Sequence, residues 1–291
     1  MTEKLQLFFA SWELWRGAVI AGMAAGAVCG FLGVYVILHR IVFVSAAMSE
    51  VSSLGVMLAF WLAQVEAVHT SAHTEDVLPL IFAALFTGVF SAALAGQASA
   101  RIADRSKSAE AFIGAVYLIS AAGLLLVGDR VSQGAHDVTN VLFGNTVVVD
   151  TEHLILLLVT FVPILIAHFW LRKDLILVSY DPAMASTLRY PVGALRVFLL
   201  VSLGVVISIG TRTLGALPVF SFTVLPPMAA LALFQDLRRS FFASMVLGLL
   251  AAFLGYLVSF LYSFPTGACM TAMAGLLLIL AKAMERLRGA Q

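Results

Sequence analysis

Hydrophobic residues fall in long runs along the chain, separated by short polar segments. A membrane-spanning helix needs about 20 apolar residues, because a rise of about 1.5 Å per residue must cover about 30 Å of hydrocarbon. The runs predict an all-α, polytopic (multi-pass) membrane protein forming a single transmembrane domain, residues 1–291, with about nine spans and a range of eight to ten. The predicted spans are 14–38, 41–63, 78–98, 111–128, 153–171, 192–210, 214–234, 240–262 and 267–281.

Composition points the same way. Of 291 residues, 62% are hydrophobic and 11% are charged, against about 25% charged in an average soluble domain. A soluble core of this length could not bury so much apolar surface, so an ordinary globular enzyme and a disordered chain are excluded, and lipid is the main solvent. The formal charge of +1 argues against a nucleic-acid partner. Cys29 and Cys269 lie in apolar runs and are predicted to be small buried residues.

Basic residues predict the orientation, since cytoplasmic loops carry an excess of lysine and arginine. With the N-terminus outside and the C-terminus in the cytoplasm, the inner side holds most of the 17 basic residues. Lys4, Arg16, Arg130 and Arg212 stay outside.

The outer loops have a different chemistry. Segments 64–77 and 129–153 are rich in histidine and carboxylates. One interpretation is that they are solvated loops. The other is a surface that attracts cations and briefly ligates a transition metal through imidazole and carboxylate. Its candidate capture residues are His69, His73, His136 and Asp137.

Glu50 lies about ten residues into the second span, where a carboxylate costs several kcal/mol unless it is paired, protonated or wet. At 100° per residue it shares one small, polar arc with Ala46 and four serines. A polar stripe of this kind is typical of a substrate path. The alternative is a protonated Glu50 bonded to a neighbouring carbonyl. The serines predicted to line the path are Ser45, Ser49, Ser52 and Ser53.

Two spans carry backbone signals. The first contains Gly22-x-x-x-Gly26-x-x-x-Gly30, which predicts close helix packing on one face. The seventh contains Pro226 and Pro227, which remove backbone donors. We expect a proline-broken helix there, as transporters have near their central sites, with a simple kink as the alternative.

The inner segment 172–191 is predicted to be cytoplasmic and to contain a short exposed helix. Asp181 suits the N-cap, Pro182 suits the first helical position, and Pro191 would end the helix. Met184, Ala185 and Leu188 would then be available to a partner. The alternative is a helix lying on the membrane surface.

Several enzyme signatures are absent from the sequence. It has no Gly-x-x-x-x-Gly-Lys-Ser/Thr phosphate loop and no His-Glu-x-x-His pair, and no aspartate falls within a confident span. These absences argue against ATP binding by a phosphate loop, a metalloprotease and an intramembrane aspartyl protease, and we expect a transport subunit that is not an enzyme. The open alternatives are a secondary transporter driven by an ion gradient and a non-transport membrane protein, such as a scaffold or an intramembrane enzyme.

Nearly the whole chain, about residues 8–282, resembles the permease subunit of bacterial ABC importers for zinc, manganese and iron. The stretches that carry the resemblance are Gly33-Val34-Tyr35-Val36-Ile37-Leu38-His39-Arg40, Glu110-Ala111-Phe112-Ile113-Gly114, Asp181-Pro182-x-x-Ala185 and Leu225-Pro226-Pro227-Met228-Ala229-Ala230 followed by Arg238-Arg239.

The resemblance implies an ABC importer permease bundle in the bacterial cytoplasmic (inner) membrane, surrounded by lipid and paired with a second copy, most simply as a homodimer. It implies a cytoplasmic ATPase subunit that binds the ATP and docks on segment 172–191. It also implies an extracytoplasmic metal-binding protein. The chain itself would hold no permanent cofactor, and a divalent zinc, manganese or iron ion would be its cargo.

The sequence departs from the family in the second span. Where the family usually has an aspartate and, four residues later, a histidine, this chain has Ala46 and Glu50. Oxygen ligation suits harder ions such as manganese, and imidazole suits zinc. Two Glu50 side chains in a dimer would supply two ligands. The choice of metal stays open, as does transport of a metal chelate.

Overall fold

The computed structural model describes residues 12–65, 72–98, 106–131 and 151–289, together with Phe8 and Ala10. Within these ranges the secondary structure is helical, with no strand. The helices are α1 (Trp12–Leu38), α2 (Val42–Val65), α3 (Ala72–Ala98), α4 (Ser106–Gly128), α5 (Thr151–Trp170), α6 (Arg172–Tyr180), α7 (Pro182–Thr187), α8 (Val192–Leu214), α9 (Ala216–Leu233), α10 (Leu237–Tyr262) and α11 (Thr266–Gly289).

The predicted span count is confirmed. In the described part of the chain, eight helices are long and apolar enough to cross a membrane, and α3 adds a shorter apolar stretch, Ile81–Leu94. Helix α11 continues to Gly289, beyond the predicted end of the last span at residue 281, and its last turn is basic.

The long helices pack in two groups. Helices α1, α9, α10 and α11 pack against one another, while α3 packs against α2 and α8, and α4 packs against α2. Contacts of α9 with α2 and α8, and of α8 with α1, join the groups. The apolar windows of α1 and α2 are both 72% buried, against 22% for α4 and 17% for α5. Helices α4 and α5 therefore leave most of their apolar surface on the outside of the chain.

The glycine stripe of α1 packs against α10, as its spacing predicts. A Cβ atom added to Gly26 would lie 2.8 Å from the carbonyl carbon of Gly248, and one added to Gly30 would lie 2.6 Å from the backbone carbonyl oxygen of Ser244. The Ser244 hydroxyl donates to the Gly30 carbonyl at 2.6 Å. The two backbones touch, and neither glycine has room for a side chain.

The expected break at the proline pair is wrong, because α9 runs continuously through Pro226 and Pro227. Pro227 has no N–H, so the Thr223 carbonyl loses its donor within the helix. Gly33 of α1 lies against this carbonyl: a Cβ on Gly33 would be 2.8 Å from the Thr223 carbonyl carbon and 2.6 Å from Pro227 Cγ. Backbone cover of this kind keeps the freed carbonyl away from lipid. The actual interruption is at Gly215, between α8 and α9, with φ 95°.

The short helix of segment 172–191 forms where it is predicted. Pro182 is its first residue, and the Asp181 carboxylate accepts a hydrogen bond from the Met184 N–H at 2.8 Å. Its end differs from the prediction. The chain leaves α7 at Leu188, with Arg189 in the left-handed region, so the turn precedes Pro191. Helix α6, which comes just before, is an additional element.

Candidate functional site

Glu50 faces a cavity between α2, α4 and α9. It lies eight positions after Val42, the first residue of α2, which places it about 12 Å along that helix. Its Oε2 atom is buried and has no hydrogen-bond partner among the described residues. The cavity has a volume of about 270 Å³. A polar atom without a partner beside open volume is a group that can take a ligand or water.

The wall of this cavity comes from three helices. Its lining residues are Ala46, Ser49 and Glu50 of α2, Tyr117 of α4, and Ala216, Leu217 and Phe220 of α9. Ala46 and Glu50 are the two positions at which the resemblance places an aspartate and a histidine, so the structure brings those positions to one cavity.

Of the four serines predicted to line the path, Ser49 alone lines this cavity. Ser45, Ser52 and Ser53 are fully buried behind it. Three of the hydroxyls bond within their own helix: Ser45 to Val42, Ser49 to Ser45, and Ser53 to Ser49, at 2.7–3.1 Å. Most serine hydroxyls of the polar arc therefore donate to carbonyls of their own helix, as serine hydroxyls inside helices often do.

The start of α9 contributes a charge effect. Ala216 and Leu217 are the first two residues of this helix, and no side chain caps its N-terminus. The N-terminal end of a helix carries a partial positive charge, which attracts anions. The carboxylate of Glu50 and the positive end of α9 thus line the same cavity. This end exists only because Gly215 interrupts the chain after α8.

The sequence did not single out Tyr117, Leu217 or Phe220 as site residues. Tyr117 is 38% exposed and supplies a phenol to the wall, and its neighbours on α4 face lipid. Nothing in the local sequence separates Tyr117 from other aromatic residues in apolar runs. The break at Gly215 is the one signal that would have pointed to Leu217 and Phe220.

The predicted capture residues of the outer side fall beyond the reach of the structure. His69, His136 and Asp137 lie outside the described residues, and so does the side chain of His73. Among the residues the structure does describe, no group of three or more His, Cys, Asp or Glu side chains is placed to hold a metal ion.

Segment 172–191, which the resemblance predicts to dock on an ATPase, has an exposed apolar face. Tyr180, Met184 and Leu188 are 76%, 52% and 54% exposed. The prediction that Ala185 is available to a partner is wrong, because Ala185 is fully buried against the rest of the chain. A six-residue helix must turn one side inward, and the sequence of α7 does not say which. Asp181 and Pro182 are exposed and shape its start.

Two further polar contacts between helices lie away from the cavity, and the sequence did not reveal them. Thr87 of α3 and Ser208 of α8 share a very short hydrogen bond, and the Ser208 hydroxyl also reaches the Ala83 carbonyl at 3.3 Å. On the other side of the bundle, buried His168 of α5 bonds through Nε2 to Ser202 of α8 at 3.1 Å. These contacts fix α8 against its neighbours.

The comparison with protein families decides the identity. The model of the family described as ABC 3 transport family matches residues 11–285. This chain belongs to the ABC 3 transport family. It is therefore a multi-pass membrane transport subunit and not an enzyme, and the resemblance seen in the sequence is confirmed.

Relatives within this family cover most of the chain. The chelated iron transport system membrane protein YfeD of Yersinia pestis is 26% identical over 91% of this chain and 83% of its own length. The manganese transport system membrane protein MntC of Halalkalibacterium halodurans is 25% identical over 93% of this chain and 87% of its own.

Solved structures share the fold of this ABC 3 chain. PsaBC from Streptococcus pneumoniae, in complex with Fab, superposes with a TM-score of 0.79 at 20% identity, covering 99% of this chain and 100% of that one. A transporter assigned to the metal-chelate ABC type, in an inward-facing conformation, gives a TM-score of 0.73 at 15% identity, over 96% of this chain and 89% of that one. At these identities the likeness establishes the permease fold.

Proposed function

We propose that this ABC 3 chain is the permease of an ATP-driven importer that moves a divalent transition metal ion, manganese, iron or zinc, into the cytoplasm. The observation that carries the proposal is the buried carboxylate oxygen of Glu50, which has no hydrogen-bond partner among the described residues and lies beside a cavity between three membrane-spanning helices. An unpaired carboxylate at this depth is costly, and a passing cation offsets that cost.

The cavity, about 270 Å³, is close to the lower end of the volumes of pockets for small organic ligands, about 300 to 1,000 Å³. It has room for an ion with bound water. Transport of a chelate, which the name of the Yersinia pestis relative suggests for that protein, is the second candidate.

Partners follow from the surface. The exposed face of Tyr180, Met184 and Leu188 is an apolar patch at the end of the bundle that we assign to the cytoplasm, and we propose that a separate ATPase subunit, which binds ATP, covers it. An extracytoplasmic metal-binding protein would deliver the ion to the outer loops that contain His69, His73, His136 and Asp137. A second copy of the chain would complete the pathway in the bacterial inner membrane, with the C-terminus in the cytoplasm.

The carboxylate is tested by uptake. Glu50→Gln keeps the size of the side chain and removes its charge. We expect uptake of manganese, iron or zinc by the assembled importer to fall at least about tenfold, which corresponds to about 1.4 kcal/mol in the barrier. Glu50→Asp should retain part of the rate. Glu13→Gln, on an exposed residue at the start of α1, is the matched control. Uptake by Glu50→Gln at the wild-type rate would overturn the pathway role.

The docking face is tested by association. Met184→Glu places a charge in the apolar patch and should weaken copurification with the ATPase subunit. Met284→Glu makes the same change at an exposed methionine of α11 and should leave the complex intact. Copurification of Met184→Glu at the wild-type level would show that the ATPase binds elsewhere.

A further inference from the structure

We propose that His39 and Ser179 form a hydrogen-bonded link that transmits movement of the docking helix α7 to α2, the helix that carries Glu50. His39 is on this view a positioning residue for the coupling of ATP hydrolysis to transport. The inference rests on the proposed function, because it assumes that an ATPase acts on α7.

The link joins residues far apart in the sequence. The Nε2 atom of His39 lies 2.8 Å from the Ser179 hydroxyl oxygen. Ser179 belongs to α6, is buried, and also donates to the Leu175 carbonyl at 2.5 Å. A serine hydroxyl has one hydrogen. Since that hydrogen is directed to Leu175, the imidazole must be the donor in the bond between His39 and Ser179.

The electrostatic surroundings of His39 support that assignment. Burial lowers its pKa to about 4, and the positive charge of Arg196 acts in the same direction. The imidazole is therefore neutral near pH 7 and carries one N–H. Placing that N–H on Nε2 satisfies the bond to Ser179.

One end of the link is rigidly joined to α2. His39 follows the last residue of α1 in a tight turn, in which the Ile41 N–H donates to the Val36 carbonyl at 3.0 Å. Arg40 takes a left-handed conformation, with φ 57°. Helix α2 begins two residues later, at Val42. A force on His39 thus acts on the corner between α1 and α2, eleven positions before Glu50.

The other end is rigidly joined to α7. Ser179 precedes Asp181 by two residues. The Asp181 N–H donates to the Leu177 carbonyl at 2.9 Å, and its carboxylate caps α7 through Met184. Asp181 therefore holds the end of α6 and the start of α7 together. A displacement of the exposed docking face must move Ser179, and the link carries that displacement to His39.

The experiment measures uptake and ATP hydrolysis together in the reconstituted importer. Ser179→Ala and His39→Phe each remove the bond. A hydrogen bond contributes about 0.5–1.5 kcal/mol net, so we expect the ions moved per ATP hydrolysed to fall about two- to tenfold while hydrolysis continues. The double variant should lose no more than either single variant. His39→Gln retains an N–H donor and should recover part of the ratio.

Thr160→Ala is the control, since the Thr160 hydroxyl bonds only to Leu156 of its own helix among its described contacts. A wild-type ratio of uptake to hydrolysis in Ser179→Ala would overturn the link, and so would uptake and hydrolysis falling in step. If Ser179→Ala does not assemble, the comparison of His39→Gln with His39→Phe decides, and equal ratios in those two overturn it. Failure of the link alone leaves Glu50→Gln defective, whereas failure of the proposed function leaves Glu50→Gln at the wild-type rate.

Discussion

The crossing of α1 and α10 gives a sharp test of the fold, because the two helices touch through their backbones. A Cβ atom on Gly26 would lie 2.8 Å from the Gly248 carbonyl carbon, and a Cβ on Gly248 would lie 2.7 Å from that of Gly26. Ordinary van der Waals contact begins near 3.4 Å. Gly26→Ala or Gly248→Ala must therefore separate the helices by about 0.6 Å or more, since a backbone carbonyl cannot move aside as a side chain does.

The cost follows from the contacts that are stretched. We take the crossing to hold about 50 atom pairs, the number made by one buried leucine, and each pair contributes about 0.15 kcal/mol, which gives about 7 kcal/mol of attraction. A gap of this size loses a quarter to a half of that attraction. The loss is about 2–4 kcal/mol. This corresponds to a fall of about 3–7 °C in the unfolding temperature of a chain of this size.

The assay is thermal unfolding in detergent, followed with a thiol-reactive dye that reports exposure of the buried cysteines. Gly275→Ala and Gly88→Ala are the controls, because an added Cβ at either position meets nothing within 4 Å. Both should unfold at or slightly above the wild-type temperature, since alanine is favoured over glycine in a helix. Wild-type stability in both Gly26→Ala and Gly248→Ala would refute the packing argument.

Three further predictions use the same assays. Ser244→Ala removes the hydrogen bond to Gly30 and should lower stability by about 0.6–1.7 kcal/mol; an unchanged melting temperature would show that the bond adds nothing. Burial and the nearby Arg196 lower the pKa of His39 from 6.5 to about 4, so the unfolded chain takes up a proton more readily than the folded one. Stability should fall as pH drops from about 6.5 toward 4, by at most about 3 kcal/mol, and His39→Phe should flatten that part of the pH profile; an equally steep profile in that variant would assign the effect to another group. Cys29 is buried and free, so maleimide should label it only after unfolding, and rapid labelling of the folded protein would contradict its burial.

Features that depend on a few neighbouring residues could be predicted from the sequence. The spans follow from run length, because hydrocarbon thickness sets the number of residues needed. The Gly22–Gly30 stripe predicts close packing, and the contacts of Gly26 and Gly30 with α10 confirm it. The cap of α7 follows from Asp181 and Pro182 alone, since the carboxylate reaches an N–H three residues away.

Features that depend on distant residues could not be predicted. Pro227 removes a donor whatever surrounds it, but whether the helix then breaks depends on what covers the Thr223 carbonyl. That cover is Gly33, about 190 positions earlier in the chain. The inward direction of Ala185 has the same origin, because the helices beneath α7 decide which of its sides is buried.

The two walls of the Glu50 cavity differ in how firmly they are held. On the α9 side the packing is backbone against backbone. Gly33 of α1 lies against Thr223 of α9, and a Cβ added to Gly255 of α10 would lie 2.6 Å from the backbone nitrogen of Met270 of α11. Contacts of this kind leave no room to slide, because any shift brings carbonyls into collision. On the other side, Gly55 of α2 packs against the backbone of α3, where an added Cβ would lie 2.8 Å from the Phe82 carbonyl oxygen, so α2 and α3 form one unit. Helix α4 meets α2 partly through the flexible side chain of Leu54 against Gly123.

The α9 side therefore supplies a fixed surface, formed by the first residues after Gly215. Glu50 lies on the opposite side, on the helix that the His39 corner joins to the docking segment. A carboxylate that must hold a cation briefly and then release it needs one wall that keeps its shape and another that moves. Changes at Gly33 should accordingly act mainly on stability, and changes at His39 on coupling, although both residues belong to the same stretch of α1 and its exit.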